Sequence, residues 1–174
     1  YLAKFSKLVR LILEHSDKPL IPLSKELETL RLYLDIEALR FTETFDYSLE
    51  ADTHLDPSLI SIPPMLVQPY AENAIWHGLL NKPGERKLRL HFTSDEDSLF
   101  VTIEDNGIGR QAAAQQQHPQ KEGYASRGMQ LIDERLTLIN EGQHDNLASA
   151  EVEDLTGPDG QPAGTRVRLT LPLI

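Results

Sequence analysis

The chain has 174 residues, 40% hydrophobic and 25% charged, with a net charge of −10 at pH 7 and no cysteine. That is enough for one packed domain with an appended element. The acidic balance argues against a nucleic-acid partner. The missing thiols exclude disulfides, thiolate metal sites and cysteine nucleophiles. No apolar run approaches the roughly 18 to 20 residues of a membrane span. The chain opens Tyr1-Leu2-Ala3-Lys4, with neither an initiator Met nor a signal peptide. The expectation is an excised cytoplasmic fragment of something longer.

Residues 2–15 are predicted to be a helix, with Leu2, Phe5, Val9 and Ile12 at helical spacing and Leu8 and Leu11 widening the stripe. Ser16-Asp17-Lys18-Pro19 breaks it. A second helix is expected from Ser24, as N-cap, to about Phe41, with Leu23, Leu27, Leu30 and Leu34 as its stripe. Glu26 and Glu28 fall in its first turn, where the helix dipole favours anions. Two consecutive amphipathic helices suggest a helical hairpin or a dimer interface. From Phe45 the period changes to two. Strands are expected through Phe45–Leu49, Leu88–Phe92, Leu99–Ile103 and Arg166–Leu171, with a weaker one at Ala148–Val152. Helices are expected at about 64–78 and 128–141. The fold class is α+β, a two-layer sandwich of a mixed sheet with helices on one face. The polar, Gln-rich stretch 110–125 is expected to be a lid or a disordered loop.

Three glycine-containing blocks and one polar helix carry the chemistry. In Pro69-Tyr70-Ala71-Glu72-Asn73-Ala74-Ile75-Trp76-His77-Gly78, a carboxylate and an amide sit in an apolar helical run, which is costly unless something polar uses them. His77 is expected in the last turn, with Gly78 as C-cap. Asp105-Asn106-Gly107-Ile108-Gly109 follows a strand. A carboxylate there can accept a hydrogen bond from an exocyclic amine, and the glycines let the backbone approach a flat ring. Ser126-Arg127-Gly128-Met129 is expected to open a helix whose free N–H groups suit phosphate, with Arg127 placed to pair with it. Gly123 to Gly128 has the spacing of a P-loop, but Met129-Gln130 stand where Lys-Ser/Thr must follow, so that motif is rejected. Gly164-Thr165 precedes the last strand.

In this order the blocks resemble the N, G1, G2 and G3 boxes of the GHKL ATP-binding fold. The first block, with Ile21–Phe41 upstream, looks like the LytS-like sensor histidine kinases. The resemblance implies a helical dimerisation-region remnant at 1–42 and an ATP-binding catalytic domain at 43–174. It implies ATP and Mg2+ as cofactors. Asn73 would be the metal ligand, Asp105 would read the adenine amino group, and Gly107, Gly109, Arg127, Gly128 and Thr165 would line the nucleotide. Glu72 would polarise the site or reach the metal through water, and His77 would stand in near the phosphates for the Lys or Arg that many relatives carry at the Trp76 position. A hard ion that keeps several waters suits one amide oxygen plus phosphate oxygens. The implied activity is transfer of the γ-phosphoryl group to a histidine and then to a response regulator, in a homodimer anchored at the inner membrane through segments outside this chain. The family's His-Phe-x-Phe-Asn phosphoacceptor motif is absent here, and His15 stands in a different context. Hydrolytic members of the fold place a catalytic Glu where this chain has Pro69. The other alternative is a degenerate module that uses the fold as an interaction surface.

Overall fold

The protein is described by a computed structural model covering residues 1–41, 44–115, 122–141 and 147–173. In chain order the elements are α1 (Leu2–Ser16), β1 (Ile21–Pro22), α2 (Leu23–Ala38), β2 (Phe45–Ala51), β3 (Ser61–Ile62), α3 (Gln68–Asn73), a π-helical stretch (Ala74–Leu79), β4 (Arg86–Ser94), β5 (Ser98–Asp105), α4 (Arg110–Gln115), α5 (Glu122–Asn140), β6 (Ser149–Thr156) and β7 (Pro162–Pro172). No described helix is long and apolar enough to cross a membrane.

Five strands form a mixed sheet in the order β2-β4-β5-β7-β6. β2 and β4 are parallel, joined by a crossover that contains α3, and the remaining pairs are antiparallel. The period of two puts Leu88, Leu90 and Phe92 of β4 and Leu99, Val101 and Ile103 of β5 on one face, all at most 1% exposed. Each such side chain contributes roughly 1.5–3 kcal/mol through burial. The alternate residues Lys87, Arg89, Glu104 and Arg166 form a charged outer face, where Arg166 bridges Glu104 at 2.7 Å and Glu153 at 3.1 Å. The helices therefore cover one face only, and the expected two-layer α+β class is the one observed.

α1 and α2 fold back on each other as a hairpin, with ion pairs Lys4–Asp35 at 2.7 Å and Lys7–Glu28 at 2.8 Å. The anticipated α1 stripe is rotated. Leu8, Leu11 and His15 are buried, while Leu2, Phe5 and Val9 stay exposed. α1 is apolar around much of its circumference, so spacing alone does not choose the inward face. Burial also holds His15 below the ordinary imidazole range, with help from Lys18. Ser24 is not the N-cap of α2. The helix starts at Leu23 after Pro22, and the first N–H groups go to carbonyls of the loop ahead of β3: Leu23 to Ile60 at 2.7 Å and Ser24 to Pro57 at 2.9 Å. Leu23, Leu30 and Leu34 of α2 belong to the same contiguous core as the sheet. The anticipated boundary between residues 42 and 43 lies outside the described residues.

The helix expected over 64–78 begins later and ends later. Proline disfavours helical backbone in the residue before it, so Pro63 and Pro64 delay the start, and Met65 turns with φ +57°. α3 then runs straight into the π-helical stretch, where Leu80 N–H reaches Ile75 O at 2.8 Å. Gly78 is inside that stretch rather than its C-cap. Residues 110–115 of the anticipated lid form α4, and 116–121 lie outside the described residues. α5 starts at Glu122, not at Gly128, and β6 and β7 extend beyond the spans anticipated for them.

Candidate nucleotide site

A cavity of about 360 Å³ lies between α3, the end of β5 and the α4–α5 side of the sheet. Its floor is Asp105, only 5% exposed at the end of β5. The Asp105 Oδ1 accepts the Gly107 N–H at 2.8 Å. Burial pushes its carboxyl up to about 6, against the pull of the Gly107 and Thr165 N–H groups. Two such bonds leave acceptor capacity on the carboxylate. Asn106 does not enter the cavity wall. Its Oδ1 takes the Lys87 N–H at 2.8 Å and so carries the β4–β5 ladder one residue further.

Glycines make this floor possible. A Cβ at Gly78 would stand 2.8 Å from Asp105 Oδ1, and one at Gly107 would stand 2.5 Å from the Gly78 backbone. Ile108 N–H also bonds to Gly78 O at 3.0 Å. The Asp-x-Gly-x-Gly loop is thus clamped to the helix carrying Asn73. Gly107 makes that backbone-to-backbone approach possible. Gly109 needs its glycine for another reason, φ +82°, which side-chain-bearing residues rarely adopt. Gly164, at φ +121°, lies under the Asp105 carbonyl, where a Cβ would come within 1.8 Å.

The second wall is one face of α3 and its π-helical continuation. Tyr70, Asn73, Ala74 and His77 line it at i, i+3, i+4 and i+7, and the wide turn brings Gly78 against Asp105. π-Helical turns recur at functional sites because they re-aim one face of a helix. Tyr70 lies about two turns, roughly 12 Å, before Gly78 along this wall, and its hydroxyl is buried without a hydrogen-bond partner among the described residues.

The structure therefore brings Asn73, His77, Asp105, Gly109 and Thr165 to one cavity. It does not bring Glu72 there. That side chain is on the neighbouring face of α3, where it accepts the Gln68 Nε2–H at 2.9 Å. Gly128 is in the interior of α5, so its N–H is not among the free groups at the helix start. The Arg127 side chain lies outside the described residues. Among the lining residues that escaped sequence reasoning are Tyr70, Gly78, Arg110 and Val152. Arg110 holds Asp154 with two bonds of 2.7 Å, tying α4 to β6 across the cavity mouth. The period of two in β6 could have placed Val152 on the inner face, but nothing local announces the Gly78–Gly107 contact.

A buried carboxylate with spare acceptors, an amide on the facing α3 wall and an unpartnered Tyr70 hydroxyl on that helix fit a ligand with an amine-bearing flat base at one end and polar groups at the other. The fit to an adenine nucleotide with a magnesium ion rests on those three groups.

Residues 1–45 match the family model described as histidine kinase. The chain is 35% identical over 108 residues to the sensor protein LytS of Oceanobacillus iheyensis, across 62% of this chain and 18% of that protein. The present chain therefore spans under a fifth of the relative's length. Among solved structures it is similar to a mycobacterial sensor histidine kinase, MprB, with a TM-score of 0.57 and 13% identity, covering 88% of this chain and 96% of that one. It is also similar to the histidine kinase ThkA, solved in complex with the response regulator protein TrrA, with a TM-score of 0.52 and 11% identity, covering 99% of this chain and 48% of that one. At such identities the structural likeness speaks for the fold.

Proposed function

We propose that the chain is the ATP-binding catalytic region of a LytS-like sensor histidine kinase, the family to which its relatives and the matched family model point, with residues 1–42 as the helical segment leading into it. The carrying observation is the Asp105 carboxylate on the floor of the cavity, clamped against the Asn73 helix by Gly78 and Gly107. Asp105 accepts the adenine amino group. Asn73 would hold a magnesium ion through its amide oxygen, and that ion would neutralise phosphate charge. His77 lies one turn beyond Asn73 on the same wall and donates to the phosphates. Bound there, Mg-ATP supplies the phosphoryl group, which passes to an imidazole nitrogen outside these residues as the bond to the β-phosphate oxygen breaks and ADP leaves. Positioning and charge neutralisation carry most of such a transfer. The buried His15 is a poor acceptor, being only 4% exposed. The phosphohistidine then serves a response-regulator aspartate. The exposed Leu2, Phe5 and Val9 stripe of α1 pairs with a second copy in the intact dimer.

Glu72, turned to Gln68, is not placed to activate water, so steady ATP hydrolysis is expected to be absent. Two variants test the assignment. Asn73→Ala should remove the magnesium dependence of ATP binding, and wild-type affinity in that variant would sink the metal role. Asp105→Asn should weaken ATP by about tenfold or more, since it removes a charged acceptor. An equal loss for GTP would count against adenine reading.

A further inference from the structure

Glu26 is a charged residue on the core side of α2, 1% exposed. Its carboxylate spans the gap to the turn that precedes α3. Oε2 accepts the Met65 N–H at 3.0 Å, and Oε1 accepts the Val67 N–H at 3.5 Å. Met65 is the one non-glycine residue with positive φ among the described residues, at +57°. A left-handed non-glycine residue persists only where its surroundings over-determine it, and such strain tends to cluster at functional sites. The two N–H groups point toward a single side chain. A carboxylate can accept both. A glutamine has one oxygen and would turn N–H donors toward an N–H.

The same segment is fastened to the start of α2 at other points. Leu23 and Ser24 donate to Ile60 and Pro57, and Ile21 pairs with Ile62 across β1 and β3. Residues 57–67 are thus strapped to the first turn of α2, with Glu26 as the last fastening before α3. Eight residues after Met65 on the helix so entered comes Asn73, on the cavity wall.

We propose that Glu26 is a positioning residue for the nucleotide site: by holding the Met65 turn it fixes where α3 begins, and with it the Asn73 amide, so that a shift of α2 is passed to the phosphate end of the cavity. The inference rests on the functional reading above, in which Asn73 serves the magnesium ion. It assigns the helical hairpin a part in the chemistry rather than in support alone.

The test compares ATP affinity with and without magnesium in the 174-residue protein, for wild type, Glu26→Gln and Leu30→Ala. Leu30 is fully buried one turn beyond Glu26 on the same helix, while the side-chain bonds to Met65 and Val67 are made by Glu26, so it serves as the stability control. Glu26→Gln should shrink the magnesium enhancement by about tenfold, the size seen when groups behind a metal ligand are removed. Magnesium-free binding should change much less. Leu30→Ala should lower Tm and leave the enhancement as in wild type. If Glu26→Gln does not fold, Glu26→Asp keeps the charge, reaches one N–H, and should show a smaller loss of the same kind. A lowered Tm with an unchanged magnesium enhancement would overturn the proposal and leave Glu26 a purely structural acid. A wild type without any magnesium enhancement would overturn the functional reading itself, a result visible before any variant is made.

Discussion

At the Asp105 end of the cavity the backbone leaves no room for a side chain: a Cβ at Gly164 would come within 1.8 Å of the Asp105 carbonyl and one at Gly107 within 2.5 Å of Gly78. At the α5 end a Cβ at Gly128 would meet no atom within 4 Å. Both ends carry a glycine motif, yet only the first is fixed by packing of backbone on backbone. If the floor reads a base as proposed, it has to be rigid, since its selectivity depends on where one carboxylate points. The α5 end carries no such constraint at Gly128. The contrast predicts opposite responses to similar substitutions.

The largest effect is expected at Gly164. Gly164→Ala adds both a clash and a strained φ of +121°, and should lower stability by about 3 kcal/mol or more. Thermal or urea unfolding measures it, and a loss under 1 kcal/mol would mean the floor is softer than described. Next comes Asp105. Its carboxyl is raised from 3.8 to about 6 by burial, so the folded state favours the protonated form. The stability this group contributes is full below pH 3.8 and is lost as pH rises through about 6. Asp105→Asn removes that loss. It should be more stable than wild type by roughly 2–3 kcal/mol at pH 7, with the gap closing toward pH 4, while its affinity for ATP falls. In the wild type, ATP affinity should drop as pH goes below about 6, because the protonated carboxyl is an uncharged and weaker acceptor. A pH-independent difference in stability between the two proteins would contradict this. The smallest effect, with the opposite sign from Gly164→Ala, is expected for Gly128→Ala. In an open helix interior it should add about 0.5–1 kcal/mol. Any loss of stability there would show that Gly128 serves a backbone conformation absent from this structure.

The same contrast governs what could be read from the residues alone. The strands were legible because Leu88–Phe92 and Leu99–Ile103 alternate cleanly with charged residues on an open sheet face. Asp105 and its glycines were legible as a local pattern, but not the reason for Gly107, because its partner Gly78 is almost thirty residues away. Gly78 looked like a helix stop, and its place inside a π-helical turn follows from tertiary contact. Glu26 read as a dipole-stabilising acid in a first turn. Its burial and its bonds to Met65 and Val67 depend on a loop nearly forty residues downstream. The position of Gly128 inside α5 was missed because glycine is a common helix boundary, and the residues before it carried no apolar periodicity to announce a helix start at Glu122.

The deciding measurement is a calorimetric titration of the 174-residue protein with ATP, with and without magnesium, and with GTP as competitor. Magnesium-dependent binding of ATP, displaced poorly by GTP, is the predicted result. Absence of binding at millimolar ATP would contradict the nucleotide site and point instead to a GHKL module that uses its fold as an interaction surface.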